Sequence, residues 1–240
     1  MRIAEKARKR AADSSNGTPV VAAFLGDSVT HGCFETFEKE DGSFGSAYDF
    51  AAVYHQRLKT ALEAEFCCVP FNIINAGVSG NTAAMGAARV AADILPCSPD
   101  LAVVCFGLND AVAGMKALDS YVAALTAIFR VLRSRDIETL FMTPNMMNDR
   151  PVSCPNYPQL EAFASKTAEL QTLGIMDAYM AAARTTAKEN GVTLCDCYAD
   201  WKALQAEGAD IISLLANGIN HPSRDMHGLF SSALRSAILA

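Results

Sequence analysis

The chain has 240 residues, 51% of them apolar and 19% charged, a balance that supports a sizeable core and excludes disorder or low complexity. A formal net charge of -6, from 20 Lys and Arg against 26 Asp and Glu, repels phosphate backbones and anionic bilayers, so neither nucleic acid nor a membrane is expected as a partner. The eight cysteines lie mostly in apolar runs such as Val103-Val104-Cys105-Phe106 and read as buried free thiols; Cys67-Cys68 and Cys195-Asp196-Cys197 match no zinc spacing, so no metal is expected.

Residues 1–18 form a charged N-terminal extension or helix. The apolar run that follows, 20–25, is too short for a signal sequence or a membrane span, which implies a cytoplasmic protein. That run reads as a buried strand. A Gly-rich loop continues to about residue 46, and Phe50, Val53, Tyr54, Arg57, Leu58 and Leu62 then recur at helical spacing. A second strand at 71–74 precedes a small-residue helix over about 82–94. Pro96 and Pro99 lead into the most apolar strand, 101–106.

Residues 118–135 carry Val122, Leu125, Ile128, Phe129 and Leu132 on one helical face. A fourth strand at 139–142 runs into a Pro- and Asn-rich loop, 143–158, placed over the carboxyl edge of the sheet. Helix follows over about 159–190, broken near Gly174. A last strand at 191–195, a short helix holding Trp201 and Leu204, and a final helix opening at Pro222 complete the chain. With no linker or compositional break, the alternation predicts one α/β domain over 1–240: three α/β/α layers around a five-stranded parallel sheet. Its ligands should sit beyond the carboxyl ends of the strands.

Three of those ends are polar. Gly26-Asp27-Ser28-Val29-Thr30-His31-Gly32 puts a serine on a tight turn, where it can be a nucleophile or an ordinary helix cap. Asn75-Ala76-Gly77-Val78-Ser79-Gly80-Asn81-Thr82 lets the backbone approach a ligand and leaves helix-start amides unpaired, as an anion cradle or a plain turn does. Gly107-Leu108-Asn109-Asp110 brings a side-chain amide to the same edge.

Together with Asn220-His221-Pro222, these blocks resemble, in order, those of the SGNH hydrolase superfamily, the GDSL esterases, and they span residues 26–222. The resemblance implies a flavodoxin-like fold, no cofactor and a small-molecule ester as substrate. Ser28 would be the nucleophile and His221 its base. The backbone amides of Ser28 and Gly80 and the side-chain amide of Asn109 would hold the oxyanion, since each must donate toward a charge that exists only in the transition state. Asp27 would brace the loop.

Four histidines narrow the choice of base. His55 sits inside a helical pattern as a surface or packing residue. His227 shares helical spacing with Ser231 and Arg235, which suggests a solvated face. His31, three residues beyond Ser28, can line a pocket but has little freedom to reach the hydroxyl; His221 is preferred. The chain departs from the family where an Asp usually stands three residues before that histidine, a position held here by Gly218. Three candidate orienters remain: Asn217, a backbone carbonyl, or Asp225. A neutral orienter predicts an intact Ser-His pair with a lower rate than a full triad.

The loops at 143–158, with Met146, Met147, Asn148 and Tyr157, and at 33–46, with Phe34, Phe37 and Phe44, are best placed to shape a pocket. His31, Met146, Met147 and Asn148 are the candidate substrate-binding residues, while the three phenylalanines fit loop packing equally well. Neither loop resembles a lipid-binding lid, so a small acyl group, acetyl first, on a sugar or other polar alcohol is expected. The main alternative is a non-catalytic carbohydrate-binding or scaffold protein on this fold. A nucleotide or flavin binder lacks its G-x-G-x-x-G run and Walker lysine, and a phosphatase lacks a two-metal cluster.

Overall fold

The computed structural model describes residues 1–240 except 14, 16, 68 and 154–156. Helix α1 (Arg2–Ala12) turns Ile3, Ala4 and Ala7 into the core. Next come β1 (Val20–Gly26), one turn of helix α2 (Ser28–His31), strands β2 (Cys33–Glu38) and β3 (Phe44–Tyr48), and α3 (Tyr54–Glu65). The middle of the chain forms β4 (Phe71–Gly77), α4 (Ala83–Asp93), β5 (Leu101–Cys105), the short α5 (Leu108–Ala111), α6 (Leu118–Ser134) and β6 (Glu138–Met142). It ends with α7 (Pro158–Thr172), α8 (Ile175–Glu189), β7 (Thr193–Cys195), α9 (Cys197–Ala206) and α10 (Met226–Leu239).

The main sheet has five strands in the order β4-β1-β5-β6-β7, all parallel. Its central strands read as unbroken apolar runs because both faces are covered. Helices α3, α9, α10 and α1 pack together on one side, and α4, α6, α8 and α7 on the other. Strand order reverses at β1, whose neighbours β4 and β5 leave to opposite sides, so a crevice opens beyond its carboxyl end. Gly77 is required there. A Cβ on it would stand 2.2 Å from the backbone nitrogen of His31, so the end of β4 lies directly against α2.

The expected break after α7 is present, with Gly174 in the left-handed region at φ 74°. Three expectations need correction. The 33–46 segment is not a loop, because β2 and β3 pair antiparallel as a hairpin. Its turn is an Asx turn: the Asp41 carboxylate accepts from the Ser43 amide at 2.9 Å, and Gly42 takes φ 77°. The final helix begins at Met226, not Pro222, which pairs with Leu215 in an isolated bridge. His227 is fully buried rather than solvated, in contact with the rings of Phe34, Tyr54 and Phe230. Its Nδ1 accepts the Tyr54 amide at 3.0 Å, which frees the first turn of α3 from needing water.

His55 is likewise interior, its Nε2 3.1 Å from the Thr30 carbonyl. Cys33, Cys105, Cys195 and Cys197 are buried as expected, but Cys67 is exposed and Cys97 half-buried; Cys68 and Cys154 lie outside the described residues. Among the described residues, no helix is long and apolar enough to cross a membrane.

Candidate active site

Ser28 opens α2 at the crevice beyond β1. Asp27 caps that helix through its Oδ1, which accepts from the Val29 amide at 3.0 Å. As the first residue of the helix, Ser28 keeps a backbone N–H with no partner inside it. Thr30 and Tyr54 hydroxyls bond at 2.9 Å behind the turn. Arg89 of α4 locks the neighbouring strand ends, donating to the carbonyls of Gly26 and Ala76 and to Asn81 Oδ1 at 2.7–2.9 Å. Asp110 receives the Ala83 amide on both carboxylate oxygens, at 2.9 and 3.2 Å, and so ties α5 to the start of α4. Burial raises the Asp27 carboxyl to about 7 and the Asp110 carboxyl to about 6. Both act as structural clamps inside the protein.

Across the crevice, His221 lies on the turn before α10. Asn217 folds that turn: its Oδ1 accepts the backbone amides of Ile219, Asn220 and His221 at 2.9–3.0 Å. The His221 ring spans two partners. Nε2 lies 3.0 Å from Ser28 Oγ, and Nδ1 lies 2.9 Å from the Phe34 carbonyl on β2. A carbonyl can only accept, so Nδ1 carries the proton and Nε2 presents its lone pair to the serine hydroxyl. Burial pulls the imidazole down to about 4, against smaller upward pulls from the Phe34 carbonyl and the Glu35 charge.

Of the three candidate orienters, the backbone carbonyl occupies the position. Asn217 contributes one step removed, donating from Nδ2 to Thr36 Oγ1 at 3.1 Å, and that hydroxyl is 3.4 Å from His221 Nδ1. Asp225 does not reach the ring; it stands at the N-terminus of α10.

Ser28, Gly80, Asn109 and His221 line one cavity of about 130 Å³, with Thr36, Ser46, Ser79, Asn217, Asn220 and the apolar Phe44, Leu160, Phe163 and Ile219. None of these side chains carries a formal charge at neutral pH. Gly80 has φ 78°, and the place its Cβ would take is empty, so the backbone lies open there. Asn109 Nδ2 donates to the Asn81 carbonyl at 2.9 Å, which fixes the amide and leaves its second N–H available.

Three candidate binding residues lie elsewhere. Met146, Met147 and Asn148 are fully buried and do not line the cavity, because the apolar methionines are drawn into the core. Their segment supports the histidine turn from behind: the Asn148 amide donates to the Ile219 carbonyl at 2.7 Å and Asn145 Nδ2 to the Asn220 carbonyl at 2.8 Å. His31 also stands outside the cavity, its ring 4.9 Å from that of Tyr48.

Thr36, Ser46, Leu160, Phe163 and Ile219 were not foreseen. The hairpin was legible in Asp41-Gly42 flanked by alternating residues, whereas Leu160 and Phe163 reach the cavity only through the packing of α7.

The sequence profile of the GDSL-like Lipase/Acylhydrolase family matches residues 24–229. The chain belongs to that family. It is an ester hydrolase family, and the carboxyl-edge crevice with its Ser-His pair is where such chemistry is possible. No curated protein is similar enough in sequence to match. Among solved structures, the acetyl xylan esterase AlAXEase superposes with a TM-score of 0.65 at 19% identity, over 91% of this chain and 100% of its own. Axe2, an acetylxylan esterase from Geobacillus stearothermophilus, gives 0.65 at 22%, over 92% and 95%. A lipase/acylhydrolase from Enterococcus faecalis gives 0.65 at 18%, over 91% and 95%. Two further Axe2 structures are catalytic mutants, one with a serine and one with a histidine replaced by alanine. At these identities the likeness establishes the GDSL acylhydrolase fold.

Proposed function

We propose that this protein is a serine esterase that removes a short acyl group, acetyl first, from a carbohydrate or another neutral polar alcohol. One observation carries the reading: the 3.0 Å Ser28–His221 contact opens into a small cavity whose described lining holds hydroxyls, amides, and aromatic and aliphatic carbon but no charged side chain. At about 130 Å³ it is smaller than the 300 Å³ or more typical of drug-sized ligands. A long acyl chain does not fit within that volume. The acetyl xylan esterases of the same fold support the choice of acyl group.

In the first step Ser28 Oγ attacks the acyl carbon and passes its proton to His221 Nε2, which is neutral at pH 7 because burial holds its affinity down. The oxyanion accepts hydrogen bonds from the amides of Ser28 and Gly80 and from Asn109 Nδ2. The imidazolium then protonates the leaving alcohol. In the second step a water loses its proton to His221 and releases the acid. The Phe34 carbonyl keeps the productive tautomer throughout, but as a neutral acceptor it stabilises the imidazolium less than a carboxylate does.

The test is a panel of 4-nitrophenyl esters and acetylated sugars with wild type, Ser28→Ala and His221→Ala. Turnover should fall at least a thousandfold in both variants and favour acetate over octanoate in wild type. Undiminished turnover in both variants overturns the mechanism, and faster octanoate hydrolysis overturns the short acyl group.

A further inference from the structure

Side chains alternate along a strand, so Phe44, Ser46 and Tyr48 of β3 share one face. The first two line the cavity beside Ser28, and the third continues the row beyond it. Tyr48 is 48% exposed and Phe50 57%. Their ring centroids are 5.8 Å apart and inclined by 32°, and His31 lies 4.9 Å from Tyr48 and 6.1 Å from Phe50. Tyr48 and Phe50 therefore form an exposed aromatic pair, and the half-buried His31 ring packs against both.

Tyr48 lies two residues beyond the cavity-lining Ser46 on the same face of β3. Cys33, which pairs with Tyr48 across the hairpin, donates its thiol to Ser79 Oγ at 3.7 Å, and Ser79, like Ser46, lines the cavity. At the other end of β3, Phe44 is 45% exposed and faces Phe163 at 6.3 Å. From Phe44 to Tyr48 the row extends about 13 Å at roughly 3.3 Å per residue, longer than one sugar ring.

Aromatic faces alternating with hydroxyls, without charge, match a pyranose, which has an apolar C–H face and a hydroxylated rim. A fatty chain would need unbroken apolar contact, and an acidic or basic substrate would need a counter-charge. Asp49, between Tyr48 and Phe50 in the chain, and Glu35 are both engaged by Arg224.

We propose that Tyr48, Phe50 and His31 form a second sugar-binding subsite, which holds a neighbouring residue of a neutral oligosaccharide while the acylated residue lies over Ser28. This rests on the esterase reading above and makes the substrate a chain of at least two pyranose units.

The experiment compares kcat/KM on acetylated tetrasaccharides of β-1,4-linked glucose, xylose and mannose with that on the matching acetylated monosaccharides, in wild type, Tyr48→Ala, Phe50→Ala, the double variant and Tyr48→Phe. For the best sugar, wild type should prefer the tetrasaccharide at least tenfold. That ratio should fall to within twofold of one in the double variant, through KM rather than kcat, and Tyr48→Phe should retain most of it. A wild-type ratio near one, or a ratio that persists in the double variant, overturns the subsite. Failure of the esterase reading looks different: no hydrolysis of 4-nitrophenyl acetate, or hydrolysis that survives Ser28→Ala.

Discussion

Replacing Asn217 by Asp tests the electrostatics of the proposed base directly. In wild type, burial pulls His221 down to about 4, so kcat/KM should stay level from pH 8 to about pH 5 and fall only below that. The Asn217 amide is one hydroxyl from the ring, with contacts of 3.1 and 3.4 Å through Thr36. A carboxylate in its place keeps the oxygen that accepts three backbone amides and exchanges the Nδ2 that donates to Thr36 Oγ1 and Asn220 Oδ1 for a negatively charged acceptor. At a separation of about 6 Å and an effective dielectric near 20, a unit charge contributes roughly 3 kcal/mol, or about 2 pH units. The cavity mouth admits solvent, which roughly halves the effect. Negative charge favours the imidazolium, so the acidic limb should move up by about 1 to 2 units, and kcat at pH 8 should rise by up to about tenfold as the transition-state imidazolium gains a counter-charge. The measurement is kcat/KM for 4-nitrophenyl acetate from pH 3.5 to 9, with circular dichroism at each pH to separate inactivation from unfolding. Superimposable limbs in the two folded proteins, or a wild-type limb already near 6.5, would refute the reasoning.

His227 is held at about 3 by burial, below an unfolded value near 6.5. Below pH 6.5 the unfolded chain therefore takes up a proton that the folded chain refuses, so stability falls with falling pH down to about pH 3. By pH 5 the loss reaches about 2 kcal/mol. His227→Asn retains an acceptor for the Tyr54 amide but cannot titrate, so its urea-derived stability should depend less on pH by that amount between pH 8 and 5; parallel curves would count against it. Asn109→Ala should lower kcat by about a hundred- to a thousandfold, the usual result of losing one oxyanion donor, with little change in KM. A loss confined to KM would remove Asn109 from that role.

The sheet was legible because burial on both faces writes itself as uninterrupted apolar runs: Leu101–Cys105 is entirely buried. Ser28, Gly80 and Asn109 were legible because a parallel sheet gathers its strand ends, so polar residues just after successive strands must meet. Other features depend on atoms that a sequence pattern does not encode. The partner of His221 Nδ1 is a main-chain carbonyl, which any residue at position 34 supplies. His227 has polar helical neighbours in sequence, yet its ring turns inward because the Tyr54 amide needs an acceptor. Met146 and Met147 follow a strand like cavity residues, but their apolar side chains are worth more to the core than to a solvated edge.

The β2–β3 hairpin links these exceptions. A carboxylate three residues before the histidine would orient the ring from within its own turn, but Gly218 at that position leaves the task to another element. The hairpin performs it by lying across the crevice, and its own position then matters to the chemistry. Arg224, three residues after His221, secures it: the guanidinium donates to Glu35 at 2.6 and 3.2 Å and to Asp49 at 2.9 Å, and lies 4.4 Å from the centre of the Phe34 ring. Both ends of the Nδ1–carbonyl contact are thus held by the same short segment, 221–224. The hairpin that carries the Phe34 carbonyl also carries Phe44, Ser46 and Tyr48 along the mouth of the cavity, so in the proposed mechanism a shift of β2 disturbs the base and the substrate track together. A conventional acid within the histidine turn would have separated these two roles; its absence couples them.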